Sequence, residues 1–269
     1  MNTEIRRLLK EEKIDGFGVI PFSECRVINP ALLARSCVGW TPASVILLAV
    51  PYYTGEYPGR NVSLYAVPGD YHRYFRGLYE RIGSAFSDAF PGSHFIGFAD
   101  HSPIGEVSAA ARAGLGVIGD MGQLIHPVYG SYFFIGEIMT DAVLEYDVRE
   151  IGFCRHCGAC VRACPLPTGC LSAETQKKGA LSPGIERLIR QQGIAWGCDV
   201  CRTVCPENQN VPITPIDFFK KDLKPTVTSE EIEAMSKEEF SLRAYGWRGK
   251  SVILRNLAFL EDNVDKEET

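Results

Sequence analysis

The chain has 269 residues and a formal net charge of −5, with 45% hydrophobic and 23% charged residues. These values are typical of a globular protein with a sizeable core, and they exclude the overall basic character of many nucleic-acid-binding proteins. No apolar run reaches the roughly 20 residues that a membrane helix requires, and the segment after Met1 lacks the apolar stretch of a signal peptide. We therefore expect a cytoplasmic protein without a membrane partner.

Residues 1–148 are predicted to form an α/β domain, because strand and helix patterns alternate along them. The predicted strands cover residues 16–20, 44–52, 95–99 and 132–139. The predicted helices cover residues 4–13, 70–86 and 106–113, with Asp70 as a candidate N-cap and Gly114 at the end of the third. The strand at 44–52 is a continuous apolar run, which is typical of a strand buried on both faces. We expect a sheet with helices on its faces.

Eight of the ten cysteines lie within residues 154–205, and we assign residues 149–215 to a second domain. The spacing that begins at Cys154 is C-x2-C-x2-C-x3-C-P, which is that of bacterial ferredoxins with two [4Fe-4S] clusters. The spacing that begins at Cys198 is C-x2-C-x3-C-P. In such proteins the cysteine before the proline binds the other cluster. The spacing therefore predicts a bacterial-ferredoxin-like domain with two clusters.

The same rule predicts which thiolates bind each cluster, with Cys170 as the one cysteine left over in the region. Cluster one is predicted to be bound by Cys154, Cys157, Cys160 and Cys205. Cluster two is predicted to be bound by Cys164, Cys170, Cys198 and Cys201. A pair of zinc sites is the alternative, since CxxC pairs also bind zinc, but zinc sites do not require the two Cys-Pro elements. Cys25 and Cys37 lie outside any motif and are interpreted as buried free cysteines.

Residues 216–269 are predicted to form a C-terminal helical extension. The pattern over 229–260 predicts two helices, and Ser236-Lys237-Glu238-Glu239 has the form of a capping box. The last residues, 261–269, are acidic and polar, and we expect them to fray.

Several segments, in the same order along the chain, resemble the epoxyqueuosine reductase family. Three of them lie before the cysteines: D-H-S-P-I-G-E at 100–106, R-A-G-L-G-V-I-G at 112–119 and G-S-Y-F-F-I-G-E-I at 130–138. Two lie further along: G-C-D-V-C at 197–201 and L-R-N-L-A at 254–258. Because the similar segments span nearly the whole chain, the resemblance is specific at the level of the family.

The resemblance implies a fold and a cofactor that the cysteine spacing does not show. Members of this family bind cobalamin on the α/β domain beside a cluster, and their fold is related to that of reductive dehalogenases. They reduce epoxyqueuosine in tRNA to queuosine. Electrons from a reduced ferredoxin or flavodoxin would pass through the two clusters to cobalt, which acts on the substrate.

The resemblance also implies roles for individual residues. Asp100 follows a predicted strand and matches the family's proton donor, which must protonate the oxygen that leaves the epoxide. We expect burial to raise the pKa of this carboxyl toward neutrality; without the resemblance, a turn or a helix cap would be the simpler interpretation. The positions expected to contact cobalamin are Gly116, Gly119, Leu124, His126, Ile135, Ile138 and Asp199. Glycines would leave room for a flat macrocycle.

Three features depart from the family and leave the substrate open. Asp120-Met121 replaces a lysine-containing pair, Cys170 follows Cys164 after only five residues, and we expect a short form without the family's C-terminal helical-repeat domain. The substrate is therefore expected to be epoxyqueuosine in tRNA or another small electrophile. The alternative function is a two-cluster electron carrier or a corrinoid-reducing partner without its own substrate. Such a carrier does not need the domain that precedes the cysteines.

Overall fold

The computed structural model describes residues 2–261. The residues after 261, which belong to the acidic end predicted to fray, lie outside the described residues. The helices are α1 (Asn2–Glu11), α2 (Pro30–Ser36), α3 (Tyr71–Ala89), α4 (Glu106–Arg112), α5 (Ala159–Ala163), α6 (Leu171–Thr175), α7 (Pro183–Gln192), α8 (Val200–Thr203), α9 (Ser229–Ala234), α10 (Lys237–Ser241) and α11 (Lys250–Glu261). The strands are β1 (Gly16–Pro21), β2 (Ser44–Pro51), β3 (Phe95–Ala99), β4 (Val117–Ile118), β5 (Leu124–Ile125) and β6 (Phe133–Thr140). None of these helices is long and apolar enough to cross a membrane.

Four strands form the main sheet, in the order β1-β2-β6-β3, and each neighbouring pair is antiparallel. The central strand β2 is buried along its whole length, as its continuous apolar run predicts. A separate two-stranded ribbon pairs β4 with β5. An antiparallel sheet combined with helices is typical of an α+β domain.

Helices cover both faces of the sheet. Directly paired residues share a face, so Gly18, Leu47, Glu137 and Phe98 point to one side. That side packs on α4, because a Cβ at Gly18 would lie 2.1 Å from the carbonyl oxygen at the end of α4. The opposite side packs on α3, whose Tyr79 ring lies 2.4 Å from the Cβ position of Gly97. The predicted sheet with helices on its faces is confirmed.

The chain forms two compact units that are not consecutive in sequence, in contrast to the three consecutive parts expected. Among the described residues, the first comprises 2–52, 74–158 and 206–216. The second comprises 53–73, 159–205 and 217–261. The C-terminal helices share a core with the cysteine-rich segment: Phe259 and Leu260 of α11 pack against the buried Ile189 of α7. They therefore do not form a part of their own.

Most predicted elements of the first unit are confirmed within one to three residues. Asp70 caps α3, since its Oδ1 accepts the backbone N–H of His72 at 3.1 Å. Helix α2 escaped prediction because it is only seven residues long, although Asn29 caps it through a bond to the backbone N–H of Leu32. Residues 229–260 hold three helices rather than two, because a second capping box begins α9 at Thr228. The capping box at Ser236 is confirmed.

Candidate functional site

Asp100 lies directly after β3 in a left-handed backbone conformation, with φ at 64°. This region of backbone space is uncommon outside glycine, although aspartate and asparagine tolerate it best. The turn is held by the backbone N–H of His101, which donates to the carbonyl of Ala99 at 2.7 Å. The expectation that Asp100 is buried is wrong, because the residue is exposed. The strand end presents its carboxylate outward.

A buried acid, Glu137, lies on the central strand β6. It is 0% exposed, and its Oε2 accepts a 2.5 Å hydrogen bond from Ser102 Oγ. Its Oε1 has no hydrogen-bond partner among the described residues. Burial raises the pKa of Glu137 to about 8, the charge of Glu106 adds to this rise, and the Ser102 hydrogen bond opposes it. This carboxyl is therefore protonated over much of the neutral range.

Glu106 is the first residue of α4, and it interacts electrostatically with both Asp100 and Glu137. Burial raises its pKa to about 7, and the charge of Asp100 adds to the rise. Its Oε2 is also buried without a hydrogen-bond partner in the part of the chain that the structure describes. The exposed Asp100 is therefore linked electrostatically to two acids with raised pKa values.

Sequence reasoning missed both glutamates as functional residues. Each lies inside a quoted segment that resembles the family, but only Asp100 was singled out. The signal for Glu137 was available, since it interrupts the apolar pattern of the strand from Phe133 to Thr140. An acid at an inward position of a central strand is either paired or protonated.

Tyr79 holds the end of β3 in place. Its hydroxyl donates to the carbonyl of Phe98 at 2.5 Å and accepts the backbone N–H of Glu137 at 3.2 Å, so it bridges β3 and β6 one residue before Ala99. Glycines at 97 and 136 make room for this side chain, because a Cβ there would lie 2.4 Å from the Tyr79 ring and 2.5 Å from the Phe75 ring. The bridge fixes the strand from which Asp100 projects.

Three of the residues expected to contact cobalamin lie at the same end of the sheet as Asp100. Gly16, Ala49 and Ile135 form one row across β1, β2 and β6, and Ile135 is partly exposed. His126 joins this row, since its Nε2 lies 3.1 Å from the Cβ position of Gly16. Gly116 is next to His126 and is also partly exposed. Asp100 follows Ala99, whose partner on β6 is Gly136, the residue next to Ile135.

The other expected contacts in the first unit are buried in the structure, and their contact with cobalamin stays a prediction. Ile138 points to the α3 side, opposite to Ile135, and is 2% exposed, so the two isoleucines do not line a common surface. Leu124 is 3% exposed within the core on the α4 side. Gly119 is buried, and a Cβ there would lie 2.9 Å from Ile125 Cδ1. These residues pack the protein interior.

His126 is a hydrogen-bonded ring rather than a free ligand. Its Nδ1 accepts the backbone N–H groups of Val128 and Tyr129 at 3.1 and 3.3 Å, so Nε2 carries the proton. The ring stacks on Tyr129 with centroids 4.6 Å apart. Burial lowers its pKa to about 4, and the ring is neutral near pH 7. Gly116 allows the ribbon to close, because its Cβ position lies 2.2 Å from the carbonyl oxygen of Ile125.

Asp199 lies in the second unit, and its hydrogen-bond and ion-pair partners lie in the same unit. It is 4% exposed, and its carboxylate accepts bonds from Ser63 Oγ at 2.6 Å and from the backbone N–H of Leu64 at 2.7 Å. Arg60 pairs with it at 3.2 Å. The pair borders a pocket of about 290 Å³ that Cys198 also lines. Three partners on one buried carboxylate indicate a structural role, and the expected contact with cobalamin stays a prediction.

The structure brings together the thiols predicted to bind cluster two. Burial raises the pKa of Cys198, and the charges of Asp199, Cys170 and Cys164 raise it further, while a hydrogen bond from the backbone of Val200 opposes the rise. Burial likewise raises the pKa of Cys201 to about 11. None of the ten cysteines is in a disulfide. A set of converging thiols fits an iron–sulfur cluster, whose positive iron ions would offset the thiolate charges.

The ligands of cluster one remain a prediction from spacing. Near Cys154, the departure noted at Asp120 has a local partner, since Asp120 Oδ1 and His156 Nδ1 lie 2.7 Å apart. Donor atoms of Asp120, Cys154 and His156 all lie within 4.8 Å of one another. The aspartate is therefore held by a neighbouring histidine rather than left as an isolated charge.

Comparison with known proteins identifies the cysteine-rich segment and the chain as a whole. Residues 153–209 match the 4Fe-4S dicluster domain family. Epoxyqueuosine reductases from Listeria monocytogenes and Lactococcus garvieae are 31% and 30% identical to this chain, over 93% and 73% of its length. The matches cover 71% and 60% of those relatives, so the chain spans less than two thirds of the Lactococcus protein.

Solved structures show the same fold. Epoxyqueuosine reductase from Streptococcus thermophilus aligns over 98% of the chain and 81% of its own length, with a TM-score of 0.80 and 23% identity. A second epoxyqueuosine reductase, solved with an epoxyqueuosine-modified tRNA stem loop, aligns over 96% of the chain and 81% of its own length, with a TM-score of 0.76 and 21% identity. A catabolic reductive dehalogenase aligns over 94% of the chain and 35% of its own length, with a TM-score of 0.50 and 14% identity. The chain belongs to the epoxyqueuosine reductase family.

Proposed function

We propose that this protein is an oxidoreductase that converts epoxyqueuosine in tRNA to queuosine. The observation that carries the proposal is the exposed Asp100 at the end of β3, together with two acids of raised pKa, Glu106 on α4 and Glu137 on β6. A relative with the same fold was solved with an epoxyqueuosine-modified tRNA stem loop, which supports this substrate. An electron carrier has no use for a proton donor held in this way, so the arrangement favours an enzyme.

The chemistry requires an acid at the reacting centre. When an epoxide is reduced to an alkene, both C–O bonds break, a C=C bond forms and the oxygen leaves as water. This change consumes two electrons and two protons. A positioned carboxylic acid that protonates the leaving oxygen contributes about 10²–10⁴-fold to such a step. Asp100 is the exposed carboxyl at this end of the sheet, and we assign it this role.

Two [4Fe-4S] clusters are proposed to deliver the electrons. The eight cysteines named above would hold them, and the converging thiols of Cys164, Cys170, Cys198 and Cys201 support cluster two. The clusters would accept single electrons from a reduced ferredoxin or flavodoxin.

Cobalamin is proposed as the cofactor at the end of the sheet. When bound, cobalamin supplies a strongly nucleophilic metal centre of low potential. The residues that fit it are Gly116, His126 and Ile135, because all three are partly exposed on the side of the sheet that packs on α4. His126 would contribute a neutral ring surface, since its Nδ1 already accepts two backbone bonds.

The test is conversion of epoxyqueuosine in tRNA, measured by mass spectrometry of the digested nucleosides. The full chain is loaded with iron, sulfide and cobalamin and is supplied with a strong reductant. We expect conversion by the wild type and a loss of about 10²–10⁴-fold in Asp100→Asn, with unchanged cluster absorption. Asp222→Asn is a matched control, because Asp222 is also an exposed aspartate with positive φ.

The same preparation distinguishes the proposal from its alternative. Retained cobalamin, seen in the visible spectrum after gel filtration, supports an enzyme that uses this cofactor. A protein that holds two clusters, retains no cobalamin and converts no epoxyqueuosine is instead an electron carrier or a corrinoid-reducing partner.

A further inference from the structure

We propose that the buried carboxyls of Glu106 and Glu137 form a proton reserve that resupplies Asp100 within each turnover. The inference rests on the proposed function, because it concerns how that reaction obtains its protons. Reduction of the epoxide to an alkene and water consumes two protons, whereas one carboxylic acid donates one. A second donor is therefore needed behind or beside Asp100.

Electrostatic interactions link the two glutamates to Asp100. Glu106 begins α4, six residues after Asp100, and the charge of Asp100 acts on it. The charge of Glu106 in turn acts on Glu137, which lies on β6 beneath α4. The intervening segment is fixed by Ser102, whose hydroxyl donates to Glu137 and accepts the backbone N–H of Ile104 at 3.1 Å. The exposure of the three residues decreases in the same order: Asp100 is exposed, Glu106 is partly exposed and Glu137 is 0% exposed.

Each glutamate keeps a free oxygen for proton exchange. Glu106 Oε2 and Glu137 Oε1 are both buried without a hydrogen-bond partner among residues 2–261. A buried polar atom without a partner is costly, and native structures retain few of them. A static structural role would favour satisfied carboxyls, as Asp199 shows in the second unit with its three partners.

The surroundings keep the pair protonated. The titratable groups that act on it, or that respond to its charge, are Asp100, Cys25 and Tyr79, and all of them are acids. The charge of Glu137 helps to raise the pKa of Cys25 to about 12, after burial as the main cause. No lysine or arginine contributes to the raised pKa of either glutamate. Without a basic partner, the proton is what neutralises these carboxyls.

The proton and electron balance is as follows. Two electrons come from the ferredoxin-type or flavodoxin-type donor through the clusters. Glu106 protonates Asp100, which gives this first proton to the oxygen as the first C–O bond breaks. Glu137 then reprotonates Glu106, and the second proton passes through Asp100 as the oxygen leaves as water. The pair is refilled from solvent after product release.

The first experiment measures protonation without any need for turnover. Infrared difference spectra of the full chain, loaded with both clusters, are recorded between about pH 6 and pH 9 and examined for the C=O stretch of protonated carboxyls. We expect bands that disappear as pH rises and that are absent in Glu106→Gln and Glu137→Gln. Glu80→Gln is the control, since Glu80 is exposed on α3. Absence of such bands in the wild type overturns the proposal.

Coupling to Asp100 is read from the same spectra. In Asp100→Asn the negative charge is removed, so the midpoint of the band assigned to Glu106 is expected to move to lower pH. An unmoved midpoint means that Asp100 and the pair are not in communication, and the proposal fails. This result is independent of whether the substrate is epoxyqueuosine.

The second experiment uses the pH dependence of conversion under single-turnover conditions. The wild-type rate is expected to fall as pH rises through the pKa values of about 7 and about 8, because the reserve empties. Glu106→Gln is expected to lower the rate roughly tenfold or more near pH 7 and to flatten this decline. Glu106→Asp, which keeps a titratable group, is expected to restore part of it. Equal loss at every pH, with no rescue, indicates packing alone and contradicts the proposal.

The two failures are distinguishable. If the wild type converts no epoxyqueuosine, the proposed function fails, while the infrared bands and their response to Asp100→Asn still decide whether the reserve exists. If the wild type converts the substrate and the variants keep its pH profile, the function stands and the reserve is rejected. Circular dichroism and iron content show that each variant is folded.

Discussion

The cysteine-rich segment and the acidic end of the sheet both concentrate negative charge, but they neutralise it differently. In the second unit, neighbouring thiols help to raise the pKa values of the half-buried Cys198 and Cys201, and iron ions are the natural counter-charge. In the first unit, no basic group among the described residues is a cause of the pKa shifts of Glu106 and Glu137, and protons serve instead. Metal content should therefore control one region, and pH the other.

The largest expected effect comes from removing a cluster ligand. Cys198→Ala is expected to lose cluster two, and with it about half of the bound iron and all conversion of substrate, because a cubane needs four ligands. Iron and acid-labile sulfide assays measure the loss. Cys37→Ala is the control, as Cys37 is buried and outside both motifs. Full iron content in Cys198→Ala would mean that the ligand set of cluster two is wrong.

Asp199 is a buried charge of the second unit that an arginine and hydrogen bonds balance, rather than a metal or a proton. Asp199→Ala leaves Arg60 and Ser63 without their acceptor and is expected to lower the free energy of unfolding by about 2–4 kcal/mol. Denaturant unfolding of the metal-loaded protein without cobalamin measures it. Asp217→Ala, at an exposed ion pair with Lys220, is expected to change stability by less than about 1 kcal/mol. If Asp199 served mainly to contact cobalamin, its removal would leave this cofactor-free stability unchanged.

The two regions also differ in how far sequence reasoning reaches. The cluster ligands lie within 52 residues and follow a fixed spacing, so their chemistry is visible in the chain itself. Asp100 is recognisable because it ends a strand and lies in a motif that resembles the family. The exposure of Asp100 is not recognisable in the sequence, because exposure depends on how α4 and β6 pack.

Contacts across the sheet explain what the sequence could not indicate. Ile135 and Ile138 are three residues apart, so strand alternation places them on opposite faces, and only the register shows which face adjoins Asp100. The charge of Glu106 acts on Glu137 only because tertiary packing brings α4 onto the sheet. Asp199 is an expected cofactor contact because of the resemblance to the family. The sequence could not indicate its partners Ser63 and Leu64, which lie 136 and 135 residues earlier in the chain.

The proton-neutralised region should reveal itself in the pH dependence of stability. The folded-state pKa of Glu137 is raised to about 8, above its unfolded value, so its contribution is fully present below about pH 4. It is lost as pH rises toward about 8, with a slope of up to about 1.4 kcal/mol per pH unit. Glu137→Gln does not titrate, so its stability relative to the wild type is expected to increase over this interval.

Chemical unfolding at a series of pH values gives this comparison, because the difference between the two proteins removes the contribution of every group that they share. Glu80→Gln should parallel the wild type, since Glu80 is exposed. A Glu137→Gln curve parallel to the wild type would show that Glu137 is ionised in the folded protein at neutral pH.

The smallest effect concerns the bridge that supports Asp100. In Gly97→Ala the new Cβ would lie 2.4 Å from the Tyr79 ring, so the ring and its hydrogen bonds to β3 and β6 must shift. We expect the free energy of unfolding to fall by about 1–3 kcal/mol, as is usual for overpacking. Gly83→Ala is the matched control: it lies within α3, has no atom within 4 Å of its Cβ position, and is expected to stabilise the protein by about 0.5–1 kcal/mol. Because Tyr79 acts one residue before Ala99, Gly97→Ala should also slow conversion of the substrate. Iron content should stay unchanged. A loss of iron would show that the acidic end of the sheet and the metal-dependent region are not independent.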